Sequence, residues 1–456
     1  MLRFLVFLMS LQLADPSTAA VPKSAERQVT DAAHGHILTN VGVWSPDGRW
    51  LVYDVRSDPA GEKFDGARIE AVNIDTREVR VLFESRNEAF CGVATFHPKL
   101  WRVIFIHGPE HPTPDWGYGP YHRQGVWVDW ERPGVGQALD ARDLLPPFTA
   151  GALRGGSHVH VFNARGDRVS FTYEDHFLAT VPVSPGTERN QRNIGVSVVG
   201  RPVAVNPGHP RNHDGTAFTV LVTRTTDDAR PGSDEIEKAF EEGWIGTNGY
   251  QRADGSRQRY ALAFQGLVRG SRGETHAEVF AVDLPDDLSV AGEVPLSGST
   301  TRRPGVPRGV VQRRLTHTAD RKYPGLQGPR HWLRSSPDGA HIGFLMKDDN
   351  GVAQLWTLSP NGGSARQITQ GPGAIASAFT WSPDGTRIAH VMDGSVCLTE
   401  VRDGTTRRLT PPVAGEGAPR VEACVFSPAG ERIAYVRRVP DGSGRMFNQI
   451  FVVESP

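Results

Sequence analysis

The chain has 456 residues with Lys plus Arg 50 against Asp plus Glu 51, a near-balance that gives no electrostatic ground for a nucleic-acid partner. Gly 50 and Pro 34 are high for a helical protein, and the apolar residues come in short bursts between turn residues, so the expected class is all-β. Three cysteines, Cys91, Cys397 and Cys424, are too few for a disulfide framework, and at least one must stay unpaired within the chain.

In chain order, MLRFLVFLMSLQLADPSTAA carries one Arg, an apolar run from Phe4 to Ala14, and then the small residues Ser17, Thr18, Ala19 and Ala20. That is the order of a cleaved secretory signal over residues 1–20, and the run is too short to span a bilayer. The expectation is a periplasmic or secreted protein without stable membrane insertion, its mature part a single domain over 26–456.

Repeats then set the architecture. GVWSPDGRWLVYDV at Gly42 returns as RSSPDGAHIGFLMK at Arg334, FTWSPDGTRIAHVM at Phe379 and CVFSPAGERIAYVR at Cys424, with weaker copies at Thr95 and Val161. Each has an extended segment, a Pro that presets the first turn dihedral, an Asp-Gly or equivalent that accepts positive φ, and alternating apolar residues such as Leu51 and Tyr53. This is a hairpin joining two neighbouring strands. Third strands follow at RIEAVNI from Arg68 and QLWTLSP from Gln354, and fourth strands at RRLT from Arg313, RQIT from Arg366 and RRLT from Arg407.

The same fourth-strand signature, RQVT, stands at Arg27 before the first hairpin, while the last repeat ends at IFVVESP without one. Circular closure follows: the N-terminal strand completes the C-terminal blade and removes the free edges of a linear array. Blade starts near Val41, Phe90, Ser157, Gly200, His331, Ser377 and Val421 predict a seven-bladed β-propeller, its fourth blade degenerate and interrupted by an insert over about 224–258. Within the insert, PGSDEIEKAFEEGW reads as a short helix with Ser233 or Asp234 as cap, Ile236, Ala239 and Phe240 on one face, and Gly243 as stop.

Through its SPDG hairpins the chain resembles the TolB-like (WD40-like, PD40) propellers over nearly all of its mature length. HVHVF, FTYEDH, RPGSDEI and GPRHWLRSSPDG together are similar to an uncharacterised bacterial propeller family. The resemblance implies architecture, not activity.

Two histidines, His158 and His160, open the third inner strand, where period-two alternation puts them on one side. His331 stands four residues before its hairpin Ser335, as His158 stands four before Phe162, and Gln327 precedes it in the same interblade loop. Three imidazoles and an amide oxygen at the funnel would suit a divalent ion such as Zn, Mn, Fe or Ni. The competing reading is a hydrogen-bonded wall.

The set also resembles, at a distance, the oligogalacturonate lyases, which hold a divalent metal through histidines and a glutamine at inner-strand starts. It departs from them because Gln327 lies in a different blade from the HxH pair. That resemblance implies a metal that acidifies a proton beside a uronate carboxylate, with His176 as base and Arg334 or Arg154 pairing the sugar acid. Glu174 is open between a solvated loop carboxylate and a group that orients an imidazole. Trp116, Tyr118 and Tyr121 in PDWGYGPYHRQG are candidates to stack on sugar rings, or simply pack a long loop.

No G-x-S-x-G elbow, phosphate-binding Gly loop or CxxC pair occurs, and the sequence closes on a propeller strand where a prolyl-oligopeptidase-type enzyme would continue into its hydrolase domain. Two functions remain open. One is an exported propeller binding a peptide, envelope protein or glycan at its funnel face; the other is a divalent-metal-dependent enzyme acting on acidic oligosaccharides.

Overall fold

The SPDG turns are built as their residues require. In the computed structural model, which describes residues 26–59, 61–182 and 184–456, Ser45 Oγ accepts from Trp50 N at 2.9 Å and Gly48 takes φ 69°. The same serine-to-backbone bond recurs from His341 to Ser336 (3.0 Å), from Arg387 to Ser382 (2.9 Å) and from Arg432 to Ser427 (3.1 Å). A hydroxyl that closes the turn from inside explains why Ser precedes the Pro each time.

Seven four-stranded sheets result, each antiparallel. Their inner strands or strand starts are Gly35–Ile37, Cys91–Phe96, Gly155–Phe162, Ile236–Trp244, Arg334–Ser335, Thr380–Trp381 and Pro419–Phe426. The expected fourth strands are present as Val311–Arg314, Arg366–Gln367 and Thr406–Arg408. The seven-bladed propeller is thus the observed architecture. Closure is by the N-terminal strand Arg27–Gln28, which pairs antiparallel with Met446–Glu454 in the register Arg27 to Val452 and Gln28 to Phe451. Thr30 extends the join, donating to Gln449 Oε1 at 2.8 Å and accepting from Ile450 N at 2.9 Å.

Neighbouring blades are bolted by one repeated bond. Trp44, Trp244 and Trp381 each donate the indole N–H at 3.0 Å to an inner-strand carbonyl of the preceding blade, at Val425, Val161 and Arg334 respectively. Thr95 and Thr380 bond forward, to the carbonyls of His160 (2.9 Å) and Cys424 (2.7 Å).

The fourth blade corrects the sequence reading. Residues Ile236–Trp244, expected as a helix, are its innermost strand, paired with Tyr260–Arg269. Register shifts at Ile236/Lys238 and Phe240/Gly243 each add a residue, so the buried Ile236 and Ala239 fall three apart and imitate a helical period. Gly200, expected to open this blade, instead lies in Asn193–Val203, the third strand of the third blade. The remainder of the expected insert includes a small hairpin, Tyr250–Gln251 with Arg257–Gln258. A long strap between Thr275–Leu284 and Val311–Arg314 sends Leu288, Leu296, Val306 and Val310 into the core shared by blades three and four.

The helix His176–Thr180 and a 3-10 turn at Gly415–Gly417 are the helical elements among the described residues, and none there is long and apolar enough to cross a membrane. The expected signal over residues 1–20 lies outside the described residues. Cys91, Cys397 and Cys424 are buried and free.

Candidate functional site

Inner strands begin at one face of the ring and run to the SPDG turns at the other, so interblade loops surround the funnel mouth. Three inner strands carry the same defect there. Val93, Val159 and Glu241, each three residues before an inner-strand aromatic, take φ of 58°, 59° and 56°. These are bulges, and in the third blade the register shifts between His158 and Val161.

The bulge breaks the alternation that was to put His158 and His160 on one side. His160 turns to the second blade: its Nε2 lies 3.0 Å from Ser157 Oγ, against Gly125 and beside the buried Asp140. Burial pushes its pKa down to about 3. His158 is held well below the usual histidine range by burial and by the charges of Arg123, Arg192 and Arg330.

His331 is spent on the backbone. Its Nε2 accepts from Leu345 N at 3.1 Å and its Nδ1 sits 2.9 Å from the Pro329 carbonyl, which ties the interblade loop to the next strand. Gln327 donates its amide to Pro324 O at 2.7 Å. The structure therefore does not bring His158, His160, His331 and Gln327 together as one donor set. Among the described residues no group of three or more His, Cys, Asp or Glu is placed to hold a metal ion.

Of the three residues expected to act on substrate, Arg154 and His176 are neighbours, with His176 N donating to the Arg154 carbonyl at 3.4 Å, while Arg334 stands on the inner strand of the fifth blade. Arg154, 2% exposed at its side chain, pairs with Asp175 at 2.8 Å and donates to the carbonyls of Ser299 and Arg302, locking the strap to the short helix. His176, the first residue of that helix, places Nδ1 3.0 Å from His122 Nε2. Burial, with His122 and Arg142 nearby, lowers its pKa to about 4. Arg334 is buried within the channel and donates to the Asn40 side chain.

The aromatic loop divides in two. Trp116 is buried, stacked on His122 with ring centres 3.7 Å apart, and Tyr121 meets the same imidazole edge-on at 4.6 Å. Tyr118 turns to the funnel instead, stacked on Phe64 at 5.0 Å with Arg123 5.0 Å from its ring. Glu174 holds Arg192 at 2.8 Å, and Glu241 holds Arg330 at 2.7 Å. Arg123 has no carboxylate within ion-pair distance among the described residues.

Sequence reasoning missed Arg123, Arg192, Arg330, His122 and Phe64. Arg123 and His122 follow Tyr121 directly and were within reach of a reading that weighed charge beside the aromatics. Phe64, from a loop of the first blade, carries no local signal.

A family model described as "Protein of unknown function (DUF3748)" matches residues 90–213. An oligogalacturonate lyase solved in complex with manganese superposes with a TM-score of 0.55 at 12% identity, over 95% of this chain and 94% of that one, a likeness of fold alone. A putative TolB from Agrobacterium tumefaciens aligns at TM-score 0.39 and 14% identity over 85% of this chain and 98% of that chain. The uncharacterized protein YidR of Escherichia coli (strain K12) is 46% identical over 416 residues, covering 90% of this chain and 95% of that protein. With that identity across nearly the whole length, and the propeller to match, the chain belongs to the YidR family.

Proposed function

We propose that this chain is an exported β-propeller that binds a carboxylate-bearing ligand on its funnel face, of the class that includes acidic glycans and the acidic stretches of a peptide or envelope protein. One observation carries the reading: Arg123 lies against the Tyr118 and Phe64 rings without a carboxylate of its own, where its charge, with those of Arg192 and Arg330, acts on the buried His158. A guanidinium held by aromatic faces keeps its N–H groups aimed for a bidentate acceptor. The apolar run after Met1 supports export. The lyase reading rests on shared fold, and its expected donor set is not assembled.

The test is calorimetric titration of the mature protein with oligogalacturonate and, separately, with a Glu-rich peptide. Binding to one of them that weakens with salt, and about tenfold on Arg123→Ala, supports the proposal. No salt-sensitive binding to either, or binding indifferent to Arg123, sinks it. An unsaturated sugar product that needs added divalent metal and His158 would favour the lyase instead.

A further inference from the structure

The central channel is interrupted. Arg334, on the inner strand of the fifth blade, donates to Asn40, which follows the inner-strand segment Gly35–Ile37 of the first and precedes Val43 and Trp44. These blades are not neighbours in the ring, so the contact crosses the channel axis. The sequence makes room for it. Where blades one, two, three, six and seven have Val43, Thr95, Val161, Thr380 and Val425, the fifth has Arg334 and the fourth has Gly243. A Cβ on Gly243 would stand 2.1 Å from the Leu333 carbonyl oxygen and 3.1 Å from Arg334 Nη1. A glycine here is a space requirement, not a turn.

On the SPDG side of this bolt the channel widens into a cup of about 390 Å3 to which all seven blades contribute. One position repeats around its wall: Trp44, Phe96, Phe162, Trp244, Trp381 and Phe426, with Ser335 in the fifth blade. The interblade bonds of the three tryptophans fix their rings, so the wall is rigid and apolar. Arg334 lines the same cup. It is buried, its nearest acidic influence is Glu242, which takes its hydrogen bond from Thr172 at 3.2 Å, and no carboxylate among the described residues forms an ion pair with it. A desolvated guanidinium whose hydrogen-bond acceptors are a neutral amide and the Leu333 carbonyl, at 3.5 Å, is poorly compensated. Apolar walls with one placed cation are the composition of a small-molecule pocket, and the volume falls in that range.

We propose that this cup is a second ligand site, separate from the funnel, that takes a small apolar carboxylate, with its hydrocarbon body among the six rings and its carboxylate on Arg334. The chemistry follows from the two parts together. The rings exclude water and favour hydrocarbon or aromatic surface, while the guanidinium selects an anion over a neutral head. The cup opens among the SPDG turns, so occupancy does not require the funnel to be empty.

The probe is decanoate, titrated into the full mature chain with decanol as its neutral counterpart, followed by tryptophan fluorescence. Expected are saturable binding of decanoate and an affinity for decanol weaker by about tenfold or more. Asn40→Asp hands Arg334 a carboxylate of nearly the amide's shape, and should weaken decanoate by about tenfold while leaving decanol and the funnel titration unchanged. Ser335→Phe completes the aromatic ring and should block both probes. Equal affinity for acid and alcohol, no saturable binding, or decanoate binding indifferent to Asn40→Asp and Ser335→Phe would overturn the proposal.

Discussion

Trp381 donates its indole N–H to the carbonyl of Arg334 in the preceding blade at 3.0 Å. The bond does two jobs, joining blades five and six and holding the backbone from which Arg334 crosses the channel. Trp44 and Trp244 make the same bond elsewhere in the ring, to Val425 and Val161. Replacing an indole by phenyl keeps most of the apolar contact and leaves a buried carbonyl without its donor. Trp44→Phe, Trp244→Phe and Trp381→Phe should each cost about 1–3 kcal/mol in urea unfolding. If all three are neutral, the repeated bond is incidental to ring stability.

Closure of the ring by Arg27–Gln28 leads to a sharper expectation. Removing residues up to Thr30 from the mature chain strips the edge of Met446–Glu454 of its partner, along with the two Thr30 bonds to Gln449 and Ile450. An unpaired outer edge invites intermolecular pairing. The truncated protein should unfold at a clearly lower temperature and sediment as larger species. Thr30→Val, which removes only the hydroxyl, should cost about 1–2 kcal/mol and leave the protein monodisperse if the parent is.

The ring was legible in the sequence because its signals are local. Ser-Pro-Asp-Gly sets a turn by itself, and a displaced fourth-strand signature at Arg27 implies closure without any long-range contact being known. The fourth blade was not legible because bulges put Ile236 and Ala239 three apart on a strand. The alternation through the His158 and His160 pair was not legible for the same reason: the register shifts between His158 and Val161, and nothing in the sequence marks a valine at φ 59°. His331 was placed correctly in its interblade loop, but the backbone groups that occupy its two nitrogens belong to Pro329 and Leu345 and are invisible until the loop is folded. The Arg334 and Gly243 pair was readable by aligning inner strands, where each departs from a run of Val and Thr.

His331 accordingly has a structural prediction. Truncation to Ala leaves Leu345 N–H without its acceptor and opens a cavity beside Phe379, whose ring centre lies 6.0 Å from the imidazole. The loss should be about 2–4 kcal/mol by chemical denaturation. The cost should be the same with and without added manganese. A metal-dependent difference between His331→Ala and the parent would return this residue to the ligand set.

Glu242 sets the last prediction, and its sign opposes that of the histidines. His160, with a pKa of about 3, and His331 and His390, with about 4, are depressed by burial. A depressed histidine contributes stability above its unfolded pKa near 6.5 and loses it as pH falls, by about 1.4 kcal/mol per pH unit for each group. Glu242 is buried between blades three and four, and burial raises its pKa to about 7, against the opposing pull of Thr172 and Arg334. A raised carboxyl favours the folded state below its unfolded pKa near 4.5, and that contribution is lost as pH rises to about 7. Glu242→Gln keeps an acceptor for Thr172 and removes the charge. The variant should match the parent near pH 4.5 and exceed it by about 3 kcal/mol above pH 7, so its stability rises more steeply with pH across that window. A constant difference between the two proteins from pH 4.5 to 8 would mean that Glu242 does not titrate in the folded protein as its burial requires.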